Sequence, residues 1–224
     1  MPTDWIVPPA LIMIAGALLL PLVPRKLRSS LFVLTCVVAL TRVWTLPDGA
    51  TLTVPLMDYT LTLVKVDALS RVFGVIFALI AAGGGIYAFH IRDAGQQTSA
   101  LLYAAGALGV TFAGDLFTLF VAFELILVAS YVLLTHQGRE GQIRSGMTFV
   151  VINLFASTLF LFGVAIVYSA TGTVNMALLA ERIPELPEAT QVGIGLWFLV
   201  VFGTKAAIFP VFSWLPDSYP TAPT

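Results

Sequence analysis

Residues 116–135 read LFTLFVAFELILVASYVLLT, a run in which Glu124 is the only charged side chain. An α-helix rises 1.5 Å per residue and the hydrocarbon core of a bilayer is about 30 Å thick, so about 20 apolar residues cross it. This run therefore predicts a membrane-spanning helix with a carboxyl group near its middle.

The composition of the whole chain agrees with a membrane protein. Of its 224 residues, 58% are hydrophobic and only 10% are charged, whereas soluble domains carry roughly 25% charged residues. The formal net charge of -1 excludes the basic balance of a nucleic-acid-binding protein. The single cysteine, Cys36, lies in an apolar run and is expected to be a small core or lipid-facing residue.

The same length rule predicts seven spans in an all-α, polytopic transmembrane bundle. They run through residues 4–23, 29–47, 68–91, 98–114, 116–135, 146–170 and 190–217. Gly114 and Asp115 form the expected turn between the fourth and fifth spans, and Asp115 is expected to cap the fifth helix at its amino end. Pro210 removes a backbone hydrogen bond, so the seventh span is predicted to break shortly after Lys205.

Positive residues in short loops predict the orientation, because Lys and Arg accumulate on the cytoplasmic side. They follow the first, third and fifth spans: Arg25, Lys26, Arg28, Arg92, Arg139 and Arg144. This distribution predicts an external amino terminus, although Arg42 and Arg71 count against it. Because the basic cluster follows the first span, that span is predicted to be a retained helix and not a signal peptide.

Glu124 is a candidate proton-relay residue. Placing a charged side chain at the centre of a membrane helix costs about 2.5–3.5 kcal/mol, so such residues normally face the bundle interior or a water-filled path. A buried carboxyl group can then exchange a proton with its surroundings. The alternative is a structural glutamate that is hydrogen-bonded to a neighbouring helix.

Lys205 is the second candidate, because it follows the apolar stretch 194–204 and precedes Pro210. Carbonyl groups freed at a helix break can stabilise a cation there. The alternative is a lysine that extends to the membrane edge, where its charge is hydrated. One acid and one base at depth on different helices favour a shared function.

Asn153 and Ser157 are possible pathway residues, since an i, i+4 spacing puts them on one face of the sixth helix. Interhelical hydrogen bonding is the alternative explanation. His90 and His136 are too isolated to indicate a metal site. The sequence also lacks a nucleophilic triad, zinc spacing, a Walker motif and a haem-binding histidine pair, so it predicts no metal and no cofactor.

Four blocks, at 114–134, 149–157, 168–177 and 205–217, together resemble the antiporter-like subunits of respiratory complex I and of Mrp-type cation/proton antiporters, most closely the Mrp D subunit. The resemblance implies a fold of about fourteen helices with two inverted five-helix repeats. It also implies that Glu124 on helix five pairs with Lys205 on a discontinuous helix seven. Residues 1–97 would then hold helices one to three, and residues 98–224 the incomplete start of the first repeat. We expect the sequence to be truncated after helix seven.

The resemblance implies a transporter subunit, not an enzyme, that moves protons against a cation, sodium being expected. It would lie in a bacterial inner membrane beside other hydrophobic subunits, in contact with lipid, protons and monovalent cations and without nucleic acid. Two alternatives remain open. One is a proton-translocating subunit of a redox-driven complex, and the other is a scaffold in which Glu124 and Lys205 only lock helices together.

Overall fold

Nine α-helices and one β-hairpin are formed by residues 6–57 and 59–221, the part of the chain that the computed structural model describes. The helices are α1 (Pro9–Leu19), α2 (Arg28–Thr45), α3 (Ala68–Tyr87), α4 (Ala94–Phe112), α5 (Leu116–Thr135), α6 (Glu140–Thr171), α7 (Met176–Arg182), α8 (Glu188–Lys205) and α9 (Trp214–Ser218). The strands are β1 (Thr51–Leu56) and β2 (Tyr59–Lys65), and short 3₁₀ turns cover Leu20–Leu22, Ile183–Glu185 and Tyr219–Thr221.

The predicted helical bundle is confirmed, with α1 to α6 and α8 in the places of the seven predicted spans. Within the described residues, α2, α3, α5 and α6 are long and apolar enough to cross a membrane, and α1 with its 3₁₀ turn is a shorter apolar helix. The predicted start of the first span, residues 4 and 5, lies outside the described part. The predicted seventh span is two helices, α8 and α9, with an irregular segment between them.

The hairpin between α2 and α3 was missed by the search for long apolar runs. Its strands pair antiparallel from Thr51 opposite Lys65 to Leu56 opposite Tyr59. Both strands are rich in threonine, valine and leucine, and the first two of these favour a pleated, half-buried surface. Leu61, Thr62 and Val64 of β2 are buried, so this strand attaches the hairpin to the bundle.

The packing core of the first half surrounds α4, which lies against α1, α3 and α5. Its fully buried side chains include Met13, Cys36, Val43, Leu101 and Leu108. Cys36 is thus a packed core residue, as one of the two sequence interpretations expected. On the other side of α5, helix α6 packs against both α5 and α8, which makes α5, α6 and α8 neighbours.

Asp67 caps α3 through a reciprocal pair of bonds with Ser70. The Ser70 amide donates to Asp67 Oδ1 at 2.7 Å, and the Asp67 amide donates to Ser70 Oγ at 2.8 Å. The bond from the Ser70 backbone holds the pKa of the Asp67 carboxyl below its ordinary value.

The Asp67 cap predicts a pH-dependent contribution to stability. Because the pKa is lower in the folded state than in the unfolded state, the contribution is complete above the unfolded pKa and is lost as pH falls through the folded pKa. Asp67→Asn keeps a capping side chain that does not titrate in this range. The unfolding temperature of the full-length protein in detergent is therefore expected to fall relative to that of Asp67→Asn as the pH is lowered. A difference that does not change with pH would refute this role.

Candidate functional site

The candidate site lies where α5, α6 and α8 meet. Glu124 lies on α5, Ser157 on α6, and Lys205 is the last residue of α8. Since α6 packs on α5 and on α8, a long side chain from the end of α8 can reach across α6 to α5.

The Lys205 ammonium has two partners inside the bundle. Its Nζ donates a hydrogen bond to Ser157 Oγ at 2.9 Å. The same Nζ lies 4.7 Å from the centroid of the Phe123 ring, within the range of a cation–π contact. Ser157 is only 1% exposed. The ammonium is therefore directed at protein groups from two neighbouring helices.

Glu124 lies close to this group without forming a closed ion pair. Its Oε1 is buried and has no hydrogen-bond partner within residues 6–57 and 59–221. No Glu124–Lys205 contact within 4.0 Å is found in that part of the chain, yet Glu124 directly follows Phe123, whose ring the Lys205 ammonium contacts. The structure thus places Glu124 near Lys205. The Glu124 Oε1 has no partner within the described residues, and the Lys205 ammonium is bound to Ser157 and Phe123.

The two predicted pathway residues differ in their contacts. Ser157 binds Lys205 directly. Asn153 is also buried, but its Nδ2 donates to the Phe149 carbonyl of its own helix at 3.0 Å. The shared face predicted from their spacing is present, and only Ser157 takes part in the observed contact with the ammonium.

The helix break after Lys205 is stabilised by local contacts that the sequence did not indicate. Helix α8 ends at Lys205, five positions before Pro210. Ala207 adopts the left-handed conformation with φ 51°. The Ile208 amide donates to the Gly203 carbonyl at 2.8 Å and the Ala207 amide to the Thr204 carbonyl at 3.2 Å. These bonds form a Schellman motif, which usually has glycine at the left-handed position.

Three carbonyl groups at the break accept hydrogen bonds from protein donors. Phe202 accepts from the Ala206 amide, and Thr204 also accepts from the Trp214 indole at 2.9 Å. The chain thus turns back on itself at the break, and its own donors bind the carbonyl groups of Phe202, Gly203 and Thr204.

Trp214 anchors the segment after the break, and no sequence pattern indicated this role. Its ring packs edge-on against Phe149 of α6, with centroids 5.5 Å apart. Together with the bond to Thr204, this contact fixes α9 against α6 and fixes the end of α8 beside Ser157.

The left-handed Ala207 predicts a stabilising substitution. Ala207→Gly removes the conflict between Cβ and the following carbonyl oxygen, so the free energy of unfolding should rise by about 1 kcal/mol. Ala206→Gly is the matched control, because Ala206 has φ -85° and gains nothing from glycine. Unfolding temperatures of the full-length protein in detergent should rise for the first variant only. A rise of the same size for both would contradict the assignment.

Asp115 joins α5 to the hairpin and is 0% exposed. Its carboxylate accepts from the Thr118 amide at 2.7 Å, from the Thr118 hydroxyl at 2.8 Å and from the Thr62 amide at 2.6 Å. Asn175, which caps α7, donates to the Thr62 hydroxyl at 3.0 Å. The predicted capping role of Asp115 is confirmed, and the structure adds the connection to β2.

Comparison with known proteins gives a consistent result. A family described as "NADH:quinone oxidoreductase/Mrp antiporter, TM" matches residues 113–224. The chain is 50% identical over 116 residues to the D subunit of the Na(+)/H(+) antiporter of Alkalihalophilus pseudofirmus, a match that covers 51% of this chain and 24% of that protein. It spans about a quarter to a third of the length of such curated relatives.

Two solved assemblies contain a similar fold. A chain of respiratory complex I from Thermus thermophilus with bound NADH has a TM-score of 0.84 and 27% identity, over 95% of this chain and 46% of that one. A chain of the Mrp complex from Dietzia sp. DQ12-45-1b has a TM-score of 0.82 and 23% identity, over 96% of this chain and 25% of that one.

Proposed function

The chain belongs to the NADH:quinone oxidoreductase/Mrp antiporter family of membrane proteins, and from this membership we propose that it is part of a cation/proton antiporter subunit. Glu124 and Lys205 pass protons along the bundle interior in this proposal, and sodium is the exchanged cation. The Alkalihalophilus relative is named as part of a Na(+)/H(+) antiporter, which supports the choice of sodium.

The open geometry of the two ionisable groups is the observation that carries the proposal. A pair that served only to lock helices together would gain most from direct contact, because breaking a buried ion pair is costly. Here the Glu124 Oε1 has no partner within the described residues, and the Lys205 ammonium is bound to Ser157 and Phe123. Such groups can change protonation or partner without unfolding a helix, which supports a relay more than a scaffold.

Partner subunits and the membrane follow from the same proposal. The helices α5 and α8 present large apolar side chains on their outer faces, among them Val121, Val128, Leu196, Leu199 and Val200. These faces suit lipid or other hydrophobic subunits of a hetero-oligomeric antiporter complex in a bacterial inner membrane. The amino terminus is proposed to face the outside, in agreement with the basic loops.

A redox-driven proton pump is the second candidate function. The similarity to a chain of Thermus thermophilus complex I, at 27% identity, favours it. Both functions use the same acid and base, and they differ in what drives the protons.

Ion flux in vesicles separates the two functions. The full-length protein, assembled with its partner subunits, would be placed in vesicles that hold an acid interior, with no NADH or quinone added. We expect added sodium to release the trapped protons, and potassium to do so less. Trapped protons that do not respond to sodium, and that move only when NADH and quinone are supplied in a second run, would refute the antiporter proposal and support the redox-driven one.

A further inference from the structure

We propose that Ser157 and Phe123 form an ammonium seat, a binding position that holds the Lys205 side chain away from Glu124. The inference rests on the proposed function, because it assigns a way of controlling the same acid and base. The seat consists of the Ser157 hydroxyl oxygen and the face of the Phe123 ring. Lys205 contacts Glu124 only after its ammonium leaves the seat.

The Ser157 half of the seat is a built contact in the interior. Ser157 Oγ accepts from Lys205 Nζ at 2.9 Å, a length typical of a charge-assisted bond, and the serine is 1% exposed. A hydroxyl group has no charge of its own, so it binds the ammonium without neutralising it. The lysine is therefore held while its attraction to a carboxylate stays available.

The Phe123 half of the seat is fixed by a cluster of aromatic rings. Phe123 packs edge-on against Phe160, with centroids 5.9 Å apart, and its ring is tilted against that of Phe202, with centroids 6.3 Å apart. Phe160 is 0% exposed and belongs to α6, whereas Phe202 belongs to α8. Rings from two other helices thus keep the Phe123 ring in place, and its negative face stays directed at the ammonium.

The seat and the acid lie on different faces of α5. Consecutive helical residues point about 100° apart, so the side chains of Phe123 and Glu124 leave the helix in different directions. An ammonium that rests on the Phe123 ring is therefore drawn away from the adjacent carboxyl group, and the unpartnered Glu124 Oε1 agrees with this arrangement. The Lys205 ammonium therefore has two positions in this proposal: one on the seat, and one in a closed ion pair with Glu124.

Two substitutions remove the seat without touching the acid or the base. In the assembled full-length complex, Ser157→Ala and Phe123→Leu should each lower the maximal rate of sodium-dependent proton flux by about threefold to tenfold. The sodium concentration at half-maximal rate should stay unchanged, because the substitutions alter the movement of the lysine and not the binding of sodium. Ser157→Thr and Phe123→Tyr retain a hydroxyl and a ring face, so they should restore most of the rate.

Phe120→Leu is the matched control for Phe123→Leu. Phe120 stacks on the same Phe160 ring, with centroids 6.4 Å apart, and no contact joins it to Lys205 within the described residues. Both variants thus lose a phenyl ring from the cluster, but only Phe123→Leu also loses the contact with the ammonium. Equal effects of the two substitutions would overturn the proposal.

Electron cryo-microscopy of the assembled complex gives a readout that does not depend on flux. Lys205 Nζ should lie on Ser157 and Phe123 in the wild-type complex and move to within about 4 Å of the Glu124 carboxylate in the Ser157→Ala, Phe123→Leu double variant. An ammonium already bound to Glu124 in the wild type, or one that does not move in the double variant, would overturn the seat.

The outcomes for the seat and for the antiporter proposal remain separable. If the wild-type complex shows no sodium-dependent flux, the proposed function fails, and the microscopy still decides whether the seat exists. If wild-type flux is present and both seat variants match Phe120→Leu, the seat alone fails. If the variants do not assemble, the position of the ammonium in the wild-type complex decides the question.

Discussion

Glu124→Gln in the assembled full-length complex is expected to lower cation-dependent proton flux by at least about tenfold. The amide keeps the shape of the side chain and cannot exchange a proton, so the relay loses its acid. Assembly should be normal, because Glu124 Oε1 has no hydrogen-bond partner to lose within the described part of the chain. Proton flux in vesicles, normalised to the amount of assembled complex, measures the effect.

The control for this substitution is Glu140→Gln at the amino end of α6. Glu140 is an exposed acidic residue in the first turn of α6, about 25 Å along that helix from Ser157. It loses the same charge and should retain wild-type flux. Normal flux in Glu124→Gln, with normal assembly, would eliminate the relay and leave a structural role for this glutamate.

Asp115→Ala is expected to destabilise the folded protein by about 3 kcal/mol or more. It removes the acceptor of three hydrogen bonds, so the buried Thr62 amide and the partly buried Thr118 amide lose their partner. It also removes the cap of α5 and the attachment of the hairpin to that helix. The unfolding temperature of the full-length protein in detergent should fall markedly, and the yield of assembled complex should fall with it.

Asp93→Ala provides the matched control for Asp115→Ala. Asp93 caps α4 through the Gln96 amide at 2.9 Å and pairs with His136, and its side chain is 54% exposed. Loss of an exposed cap costs about 1 kcal/mol. An effect of Asp115→Ala no larger than that of Asp93→Ala would show that burial at the junction adds nothing.

The length of an apolar run was enough to predict a helix where turn residues mark the end of the run. The predicted span 116–135 and the observed α5 have the same bounds, because the turn residues Gly114 and Asp115 mark its start. The hairpin at Thr51–Lys65 was missed, since its strands are far shorter than a membrane span and gain their burial from the bundle. Local sequence patterns predict helices that their own sequence specifies better than they predict strands that depend on tertiary packing.

The position of the helix break was predicted correctly, but the contacts that stabilise it were not. Pro210 predicted an interruption after Lys205, and α8 does end there. The residue that ends it is Ala207, in a left-handed conformation that alanine rarely adopts. This conformation is maintained by contacts such as the Trp214 bond to Thr204, which no spacing rule contains.

The candidate site was only partly visible in the sequence. Charge at depth identified Glu124 and Lys205, and spacing added Ser157 and Asn153, which the structure then separates by their contacts. Phe123 gave no signal, because phenylalanine is an ordinary residue in a membrane helix. Its contact with the ammonium appears only once α5, α6 and α8 are packed together.

Glu124 and Lys205 are proposed to act as one proton-carrying unit, and proton flux in vesicles tests this most directly. The flux would be measured for Glu124→Gln, Lys205→Ala and the double variant, each in the full-length assembled complex. Because residues that act as a unit show non-additive losses, both single variants should lose most of the flux and the double variant should be no worse than the poorer of the two. Wild-type flux in either single variant, at normal assembly, would contradict the claim.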